Sequence, residues 1–281
     1  MDIGIAMYPS GHFVDVAPLA KWAEELGFES FWAPEHTVIP MNPTTPSQGY
    51  PDGVVPREYA YIVDPFVALA RASAVTTRIK LGTAVCLLPE HNPLLLAKEI
   101  ATLDMYSGGR FLLGVGAGWL REETEVMGGD FDHRWTQSKE VVLAMKQLWT
   151  KTEAEYHGRY YDFPPVYCFP KPVQQPHPPV LLGGKAANVF KRVVAWGDGW
   201  IPNGVTPDEL REGRATLDRL AEGAGRDPAS IQVSLGHVPV DRRLIDQYAD
   251  AGAVRVNVRL DGATEDESLA QLERIANSLL R

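Results

Sequence analysis

The sequence has few of the features that mark secreted or membrane proteins. Its only two cysteines, Cys86 and Cys168, form neither a disulfide framework nor a C-x-x-C pair, so a reducing cytoplasm is the predicted location. No uninterrupted apolar run approaches the roughly 20 residues that a membrane-spanning helix needs. The N-terminus has no basic region followed by a long apolar core. We therefore expect neither a membrane span nor a secretion signal.

Positive charge and the common hydrolytic motifs are also scarce. The formal net charge of the 281 residues is −9, and no lysine- or arginine-rich run offsets it, which argues against nucleic acid as a partner. The histidines show no metal-ligand spacing such as H-E-x-x-H, so no metal is expected. There is no G-x-S-x-G motif, and Lys80 lies at the wrong end of its predicted strand for a Schiff base. A lyase or hydrolase therefore lacks an identifiable nucleophile.

Short β-rich runs alternate with helical stretches from one end of the chain to the other. Because parallel strands need helical crossovers, this alternation predicts a (β/α)8 TIM barrel with loop insertions at the C-terminal face, as a single domain over residues 1–281. A doubly wound open sheet is the alternative, since periodicity alone does not exclude it. The predicted strands are 3–8, 30–33, 79–87, 111–116, 179–182, 199–202, 231–235 and 254–258, and the predicted helices are 16–26, 93–106, 137–149, 186–196, 207–222, 242–251 and 267–280.

Two segments fit neither helix nor strand. Residues 40–65 are too rich in proline for a helix and too long for an ordinary connection. In a barrel they follow the second strand at the C-terminal face, so we interpret them as an active-site lid. Residues 151–179 carry aromatic side chains between prolines, which argues against a disordered linker. We interpret them as an ordered covering, with a solvated crossing of no functional role as the alternative.

Alternating glycines mark the fourth predicted strand and the turn after it. Gly114, Gly116 and Gly118 share one face because strand side chains alternate with a period of two. A face without side chains beside a packed core suggests that something flat lies against the backbone. The stretch is not a dinucleotide fingerprint, because Trp119 stands where G-x-G-x-x-G needs its third glycine. A strand flattened only for packing is the alternative.

Several longer stretches point to a known family. WAPEH, LGTAVCLLPEHNPLLLAKEIATLD, GGRFLLGVGAGWLREE, YHGRYYDFPPV, FPKPVQQPHPPVLLGG and WGDGWIP follow one another in this order. Together they resemble the luciferase-like monooxygenase superfamily, and most closely its branch that uses the deazaflavin coenzyme F420. The resemblance covers nearly the whole chain. It implies a barrel with the cofactor at the C-terminal face.

The resemblance also assigns cofactor-binding residues. It implies that the turn with Gly116, Gly118 and Trp119 borders the cofactor. It further implies a bulge over Thr83, Ala84 and Val85, with a non-prolyl cis peptide at Ala84–Val85, beneath the tricyclic ring. A third cofactor-binding segment, the turn from Gly183 to Lys185, is indicated both by its own residues and by the resemblance. Gly183 and Gly184 expose backbone N–H groups before a helix N-terminus and Lys185 adds a full charge, which suits the cofactor phosphate, with a plain strand–helix turn as the alternative.

Two acid–histidine pairs follow predicted strands. A histidine exchanges protons near neutral pH and a carboxylate orients it. The resemblance places Glu35 and His36 near the reactive end of the cofactor, with His36 as proton donor or acceptor and Glu35 as a ring-edge contact. Ordinary surface is the alternative. The second pair, Glu90 and His91, precedes Asn92, which reads more simply as a helix cap before a proline.

The leading hypothesis is an F420-dependent oxidoreductase that transfers a hydride to or from an unidentified small organic substrate. Its alternatives are a monooxygenase that uses reduced FMN and oxygen, and a non-catalytic barrel that binds a flavin-like molecule or nothing. A homodimer through the first barrel helices is the expected assembly, as is common in the family.

Overall fold

The computed structural model describes residues 1–8, 13–47 and 53–281. Within these residues, eight parallel strands form a closed barrel and a short ninth strand and a separate hairpin are added to it. The elements in chain order are β1 (Asp2–Met7), α1 (Val16–Leu26), β2 (Ser30–Ala33), α2 (Pro65–Ser73), β3 (Lys80–Thr83), β4 (Cys86–Leu87), α3 (Pro93–Ser107), β5 (Phe111–Gly116), α4 (Arg121–Val126), α5 (Arg134–Thr150), β6 (Ala154–His157), β7 (Asp162–Val166), β8 (Val180–Gly183), α6 (Asn188–Trp196), β9 (Gly199–Ile201), α7 (Pro207–Gly223), β10 (Gln232–Val238), α8 (Arg242–Asp250), β11 (Arg255–Leu260) and α9 (Glu265–Leu279).

The barrel closes through parallel pairing of its first and last strands. Around the barrel the order is β1, β2, β3, β5, β8, β9, β10 and β11. β11 then pairs with β1 in continuous register, from Asp2 opposite Arg255 to Met7 opposite Leu260. The doubly wound alternative is excluded because an open sheet would leave two unpaired edge strands. The (β/α)8 barrel predicted from the alternation is confirmed.

The predicted elements differ from the structure in four places. The strand predicted over 79–87 is interrupted between β3 and β4. Helix α2 is not among the predicted helices. Its first residue, Pro65, is the last residue of the predicted loop 40–65 and occupies the first helical position after the N-cap Asp64. Helix α4 is also not predicted, because its six mostly polar residues show no helical spacing of apolar side chains. The segment 151–179 contains the antiparallel hairpin of β6 and β7, whose prolines are tolerated because the hairpin has free edges.

The predicted lid is only partly described. Its residues 48–52 lie outside the described residues, and a 3-10 helix, Arg57–Tyr61, follows. The backbone N–H groups of Thr44 and Thr45 donate to Glu122 Oε1 at 2.6 and 3.0 Å, and the Thr44 hydroxyl donates to the same oxygen at 2.7 Å. Burial opposes ionisation of Glu122, but these hydrogen bonds lower its pKa to about 2. The loop is thus tied to α4, and its action as a lid stays a prediction.

The core has two parts, one outside the barrel wall and one inside. Outward-facing strand residues pack against the helices in the larger cluster. Inside the barrel, a smaller apolar cluster contains Ala6, Trp32, Leu112, Leu181 and Ile201, with Ala84 and Val85 packed on it. Among the described residues, no helix combines the length and apolarity that crossing a bilayer requires.

The N-terminal end of the barrel is closed by a buried ion pair. Arg255 is 2% exposed, and its Nε and Nη2 donate to the two carboxylate oxygens of Glu29 at 2.6 Å each. Its Nη1 donates to Ser234 Oγ at 3.0 Å. A paired and hydrogen-bonded guanidinium is the form in which an arginine is tolerated at such burial. The open end of the barrel is therefore the C-terminal one.

The glycine face of β5 is covered by protein. A Cβ on Gly114 would lie 2.1 Å from the carbonyl oxygen of Thr83, and one on Gly116 would lie 2.6 Å from Val85 Cγ2. The expectation that this face is bare is therefore wrong at these two glycines, whereas the role of Gly116 in bordering the cofactor stays a prediction. Their missing side chains make room for the bulge after β3, which a single sequence cannot place opposite them.

Gly114→Ala is expected to destabilise the protein by about 3 kcal/mol, because the new methyl group meets a backbone carbonyl that cannot rotate away. The hydroxyl of Thr83 also donates to the Gly114 carbonyl at 2.7 Å, so any shift breaks a buried hydrogen bond. Urea unfolding measures the change. Gly223→Ala is the matched control, because no atom lies within 4 Å of its Cβ position. Equal stability of the two variants would contradict the packing argument.

Candidate active site

The side chains of Glu35 and His36, which follow β2, have different hydrogen-bond partners. Glu35 is 4% exposed and both of its oxygens are engaged. The Leu87 N–H donates to Oε2 at 2.5 Å, and His91 Nε2 donates to Oε1 at 2.9 Å. Burial alone would lower the pKa of His91, but the hydrogen bond and charge of Glu35 raise it. The role of Glu35 as a ring-edge contact stays a prediction.

His36 lies at the open end of the barrel among aromatic side chains. Its Nδ1–H donates to Glu123 Oε2 at 2.5 Å. Its ring stacks on Tyr59 at a centroid distance of 5.1 Å and meets the edge of Trp119 at 5.9 Å. Because Glu123 holds Nδ1, the Nε2 atom is the one left to exchange a proton. The site thus contains an oriented histidine, as the sequence led us to expect, with a partner that the sequence did not reveal.

Two further carboxylates are buried behind His36. Glu123 is 1% exposed and Glu90 is 8% exposed. Glu123 Oε1 and Glu90 Oε2 have no hydrogen-bond partner. Burial, followed by the charges of Glu123 and Glu35, raises the pKa of Glu90 to about 9. Glu90 is therefore protonated at neutral pH, which relieves the repulsion that three carboxylates would exert on one another.

The bulge after β3 joins the predicted cofactor-binding segments. The Ala84–Val85 peptide is cis, which confirms the bond implied by the resemblance. Thr83 is fully buried in the barrel wall. Val85 contacts both neighbouring strands, since Cβ atoms on Gly116 and Gly183 would lie 2.6 and 3.6 Å from its methyl groups. The bulge, the end of β5 and the end of β8 therefore form one continuous surface.

A cavity of about 420 Å³ lies between the residues that follow β5 and those that follow β8, and the bulge residues Ala84 and Val85 are not among those that line it. It brings together two of the predicted segments, the turn with Gly118 and Trp119 and the turn with Gly184 and Lys185. Gly184 has a φ of 102°, a left-handed conformation that favours glycine. The remaining lining residues come from the predicted lid, from α5 and the residue Phe131 just before it, and from α6: Thr45, Pro46, Phe131, Arg134, Trp135, Ala186, Val189 and Arg192.

Among the described residues, one group of side chains has the composition of a metal site. The ligand atoms of Glu35, Cys86 and His91 lie within 4.8 Å of one another, although the sequence shows no metal-ligand spacing. Both oxygens of Glu35 already accept hydrogen bonds. Burial, and then the charge of Glu35, raises the pKa of the Cys86 thiol, and a protonated thiol is a poor metal ligand. The arrangement fits a hydrogen-bonded network that fixes Glu35.

The opposite side of the barrel mouth carries a second histidine. His237 has a φ of 54°, which is uncommon for a non-glycine residue, and it lies where the register of β10 shifts between Leu235 and Val238. Burial, and then the charge of Arg259, lowers the pKa of His237 to about 4, so the ring is neutral at physiological pH. Asn203 Nδ2 donates to its Nδ1 at 3.2 Å. Its ring meets the edge of Tyr8 at 5.3 Å.

Comparison with known proteins fits this geometry. A family model described as luciferase-like monooxygenase matches residues 2–264. The chain belongs to the luciferase-like monooxygenase family. An uncharacterized protein of Mycobacterium tuberculosis is 39% identical over 287 residues, which cover 99% of both chains. The FMNH2-dependent dimethylsulfone monooxygenase of Pseudomonas putida is 29% identical, over 66% of this chain and 50% of its own.

Solved structures support the fold assignment. The monooxygenase RslO1 from Streptomyces bottropensis superposes with a TM-score of 0.80 at 22% identity, covering 100% of this chain and 99% of its own. An F420-dependent secondary alcohol dehydrogenase in complex with an F420–acetone adduct superposes with a TM-score of 0.75 at 18% identity, covering 99% and 98%. Luciferase-like monooxygenase family enzymes are oxidoreductases or monooxygenases that bind a flavin-type cofactor, and both F420- and FMN-dependent proteins occur among those similar to this chain.

Proposed function

We propose that this protein is an F420-dependent oxidoreductase that transfers a hydride between the deazaflavin and a small organic substrate. The cavity of about 420 Å³ between the turns that follow β5 and β8 carries the proposal. It connects the Gly118–Trp119 turn, near His36, with the Gly184–Lys185 turn, so its two ends suit a ring system and a phosphate. A similar F420-dependent alcohol dehydrogenase structure supports the choice of cofactor.

The residues present fit such a group. Gly184 presents an open backbone at the phosphate end, where a Cβ would have Trp135 as its only close neighbour, at 3.7 Å. Lys185 lines the same cavity, and its Nζ donates to the carbonyl of Gly204, which follows β9, at 3.2 Å. Among the described residues, the cavity lining contains cations and no acidic side chain. A phosphate there would meet positive charge and backbone N–H groups, the two features that favour anion binding.

The chemistry divides between the cofactor and the protein. When bound, F420 supplies the hydride chemistry, and the carbon that replaces the reactive flavin nitrogen makes it react poorly with oxygen. His36 holds or releases a proton at Nε2, next to where the ring system would lie. Glu123 fixes the tautomer of His36 through Nδ1. Glu35 acts as a positioning residue that ties the end of β2 to Leu87 and His91.

A second candidate keeps the site and uses reduced FMN with oxygen. The similarity to an FMNH2-dependent monooxygenase favours it. Titration of the purified protein with F420 and with FMN, followed by fluorescence, separates the two candidates. Tight binding of F420 and weak binding of FMN are expected. Tight binding of FMN alone would overturn the proposal, and binding of neither cofactor would favour a non-catalytic barrel.

Gly184→Val is expected to weaken binding of either phosphorylated cofactor by about tenfold or more, because a side chain at this left-handed turn displaces the backbone that faces the phosphate. Fluorescence titration gives the dissociation constants. Gly225→Val is the matched control, since Gly225 also has a positive φ, 69°, but lies after α7, away from the cavity. If both variants bind the cofactor alike, the phosphate assignment is wrong.

A further inference from the structure

Three cations line the same cavity. Lys185 follows β8, Arg134 begins α5 and Arg192 lies on α6. The guanidinium of Arg134 lies 4.0 Å from the centre of the Phe131 ring, and that of Arg192 lies 4.4 Å from the Trp135 ring. Aromatic faces of this kind hold a guanidinium in place without neutralising its charge. The cavity therefore presents more positive charge than the Gly183–Lys185 turn alone supplies.

These cations have no ion-pair partner among the described residues, which is unusual in a chain of net charge −9. Arg121 provides the contrast, because it pairs with Glu125 at 2.9 Å and with Asp132 at 2.5 Å beside the same Phe131 ring. Arg134 donates only to the Phe131 carbonyl, and its buried Nε has no partner. Burial, and then the charge of Arg134, lowers the pKa of Arg192.

The two arginines come from different elements than the phosphate turn, although all three line one cavity. Arg134 and Arg192 belong to two helices, whereas the turn belongs to the end of β8. The two like charges repel each other, and the described part of the chain contributes no compensating carboxylate to the cavity lining. An anionic ligand group would neutralise them, and one that carries several carboxylates would match two arginines, which bind carboxylates in a bidentate manner.

We propose that Arg134 and Arg192 form a second anion subsite, which binds the carboxylates of an acidic chain that extends from the cofactor phosphate. The proposal rests on the proposed function. The phosphate of F420 continues into a lactyl-oligoglutamate chain, whereas the phosphate of FMN is terminal. The subsite therefore deepens the cofactor assignment: these two arginines favour the deazaflavin through its acidic chain and not through its ring.

The test compares two forms of F420, one with several glutamates and one that ends at lactate. Dissociation constants from fluorescence titration of the apo-protein at low salt need no substrate. We expect the glutamylated form to bind about tenfold more tightly. Arg192→Gln and the double variant Arg134→Gln/Arg192→Gln should progressively reduce this difference, because the lactate-ended form keeps only one carboxylate and should lose less affinity than the glutamylated form. Added salt should reduce the difference in the wild type.

Arg121→Gln is the matched control, because Arg121 contacts the same Phe131 ring but is already paired with carboxylates. It should preserve the difference between the two F420 forms. Equal dissociation constants for the two forms in the wild type would overturn the second subsite and leave the proposed function intact. Loss of affinity for both forms alike in the arginine variants would also overturn it. Binding of FMN alone would overturn both proposals.

Discussion

Glu123→Gln is expected to lower the rate of hydride transfer by about 100-fold with little change in cofactor affinity. The carboxylate of Glu123 accepts a 2.5 Å hydrogen bond from His36 Nδ1 and so keeps the Nε2 atom available for proton exchange. A glutamine can instead donate its amide N–H to Nδ1, which reverses the tautomer. Correct protonation of an acid–base group contributes typically 10²–10⁴-fold to a rate. A panel of carbonyl compounds is first screened for one that oxidises the reduced cofactor on the enzyme. The rate is then measured as single-turnover oxidation of the bound reduced cofactor by that compound.

Nitrogen-edited NMR of the His36 ring provides a readout that does not depend on turnover. It should show a change of tautomer in Glu123→Gln at neutral pH. Glu125→Gln serves as the control, since Glu125 lies on the same helix but is exposed and pairs with Arg121. A Glu123→Gln protein with wild-type rate and an unchanged His36 tautomer would show that the pair has no functional role.

Glu90→Gln is expected to make the protein more stable at alkaline pH. The folded state holds the Glu90 proton until the pH reaches about 9, because burial and the charges of Glu123 and Glu35 raise its pKa from 4.5. The unfolded chain releases that proton near its ordinary pKa. The folded protein therefore binds more protons between these values, and the free energy of unfolding falls as the pH rises, by on the order of 1 kcal/mol per pH unit. Glutamine is uncharged and has nearly the shape of a protonated glutamate, so the variant lacks this loss of stability with rising pH.

Urea unfolding at pH 5 and pH 8 measures the effect. The variant should equal the wild type within about 1 kcal/mol at pH 5 and exceed it by roughly 2–4 kcal/mol at pH 8. Glu153→Gln is a suitable control, since Glu153 is exposed and contacts only the exposed Tyr167. A difference between variant and wild type that does not change with pH would mean that Glu90 carries no excess proton in the folded state.

Local sequence signals predicted most of the secondary structure. Helix α1 ends at Gly27 with a φ of 99°, and α3 begins after Asn92, which accepts from the Leu94 N–H at 2.9 Å, both as expected. A helix cap or a hydrophobic period involves only a few neighbouring residues, so the sequence alone is enough to predict it. Short polar elements such as α4 lack such a signal, and packing stabilises them instead.

The candidate site was predicted only in part, because its partners are distant in the chain. The family resemblance pointed to His36, whereas Glu123 lies 87 residues away in a polar stretch with no distinguishing pattern. The Glu35–His91 contact spans 56 residues. The N-cap predicted at Asn92 is confirmed, because a cap depends only on neighbouring residues. The contacts of Glu90 and His91 depend on residues that are distant in the chain. Closure of the barrel then brought all of these side chains to one end.

The sequence by itself determined the alternation of strands and helices, the caps and turns, and the positions of Glu35, His36 and the Gly183–Lys185 turn. Only the tertiary structure decided that the glycines of β5 accommodate a bulge and that Glu123 holds His36. It also decided that Arg134 and Arg192 face one cavity to which no described residue brings a counter-charge. The physical reason is that backbone preferences act between neighbours along the chain. Burial, hydrogen bonding and the field of other charges, which set the chemistry of a side chain, depend on residues that only the closed barrel brings together.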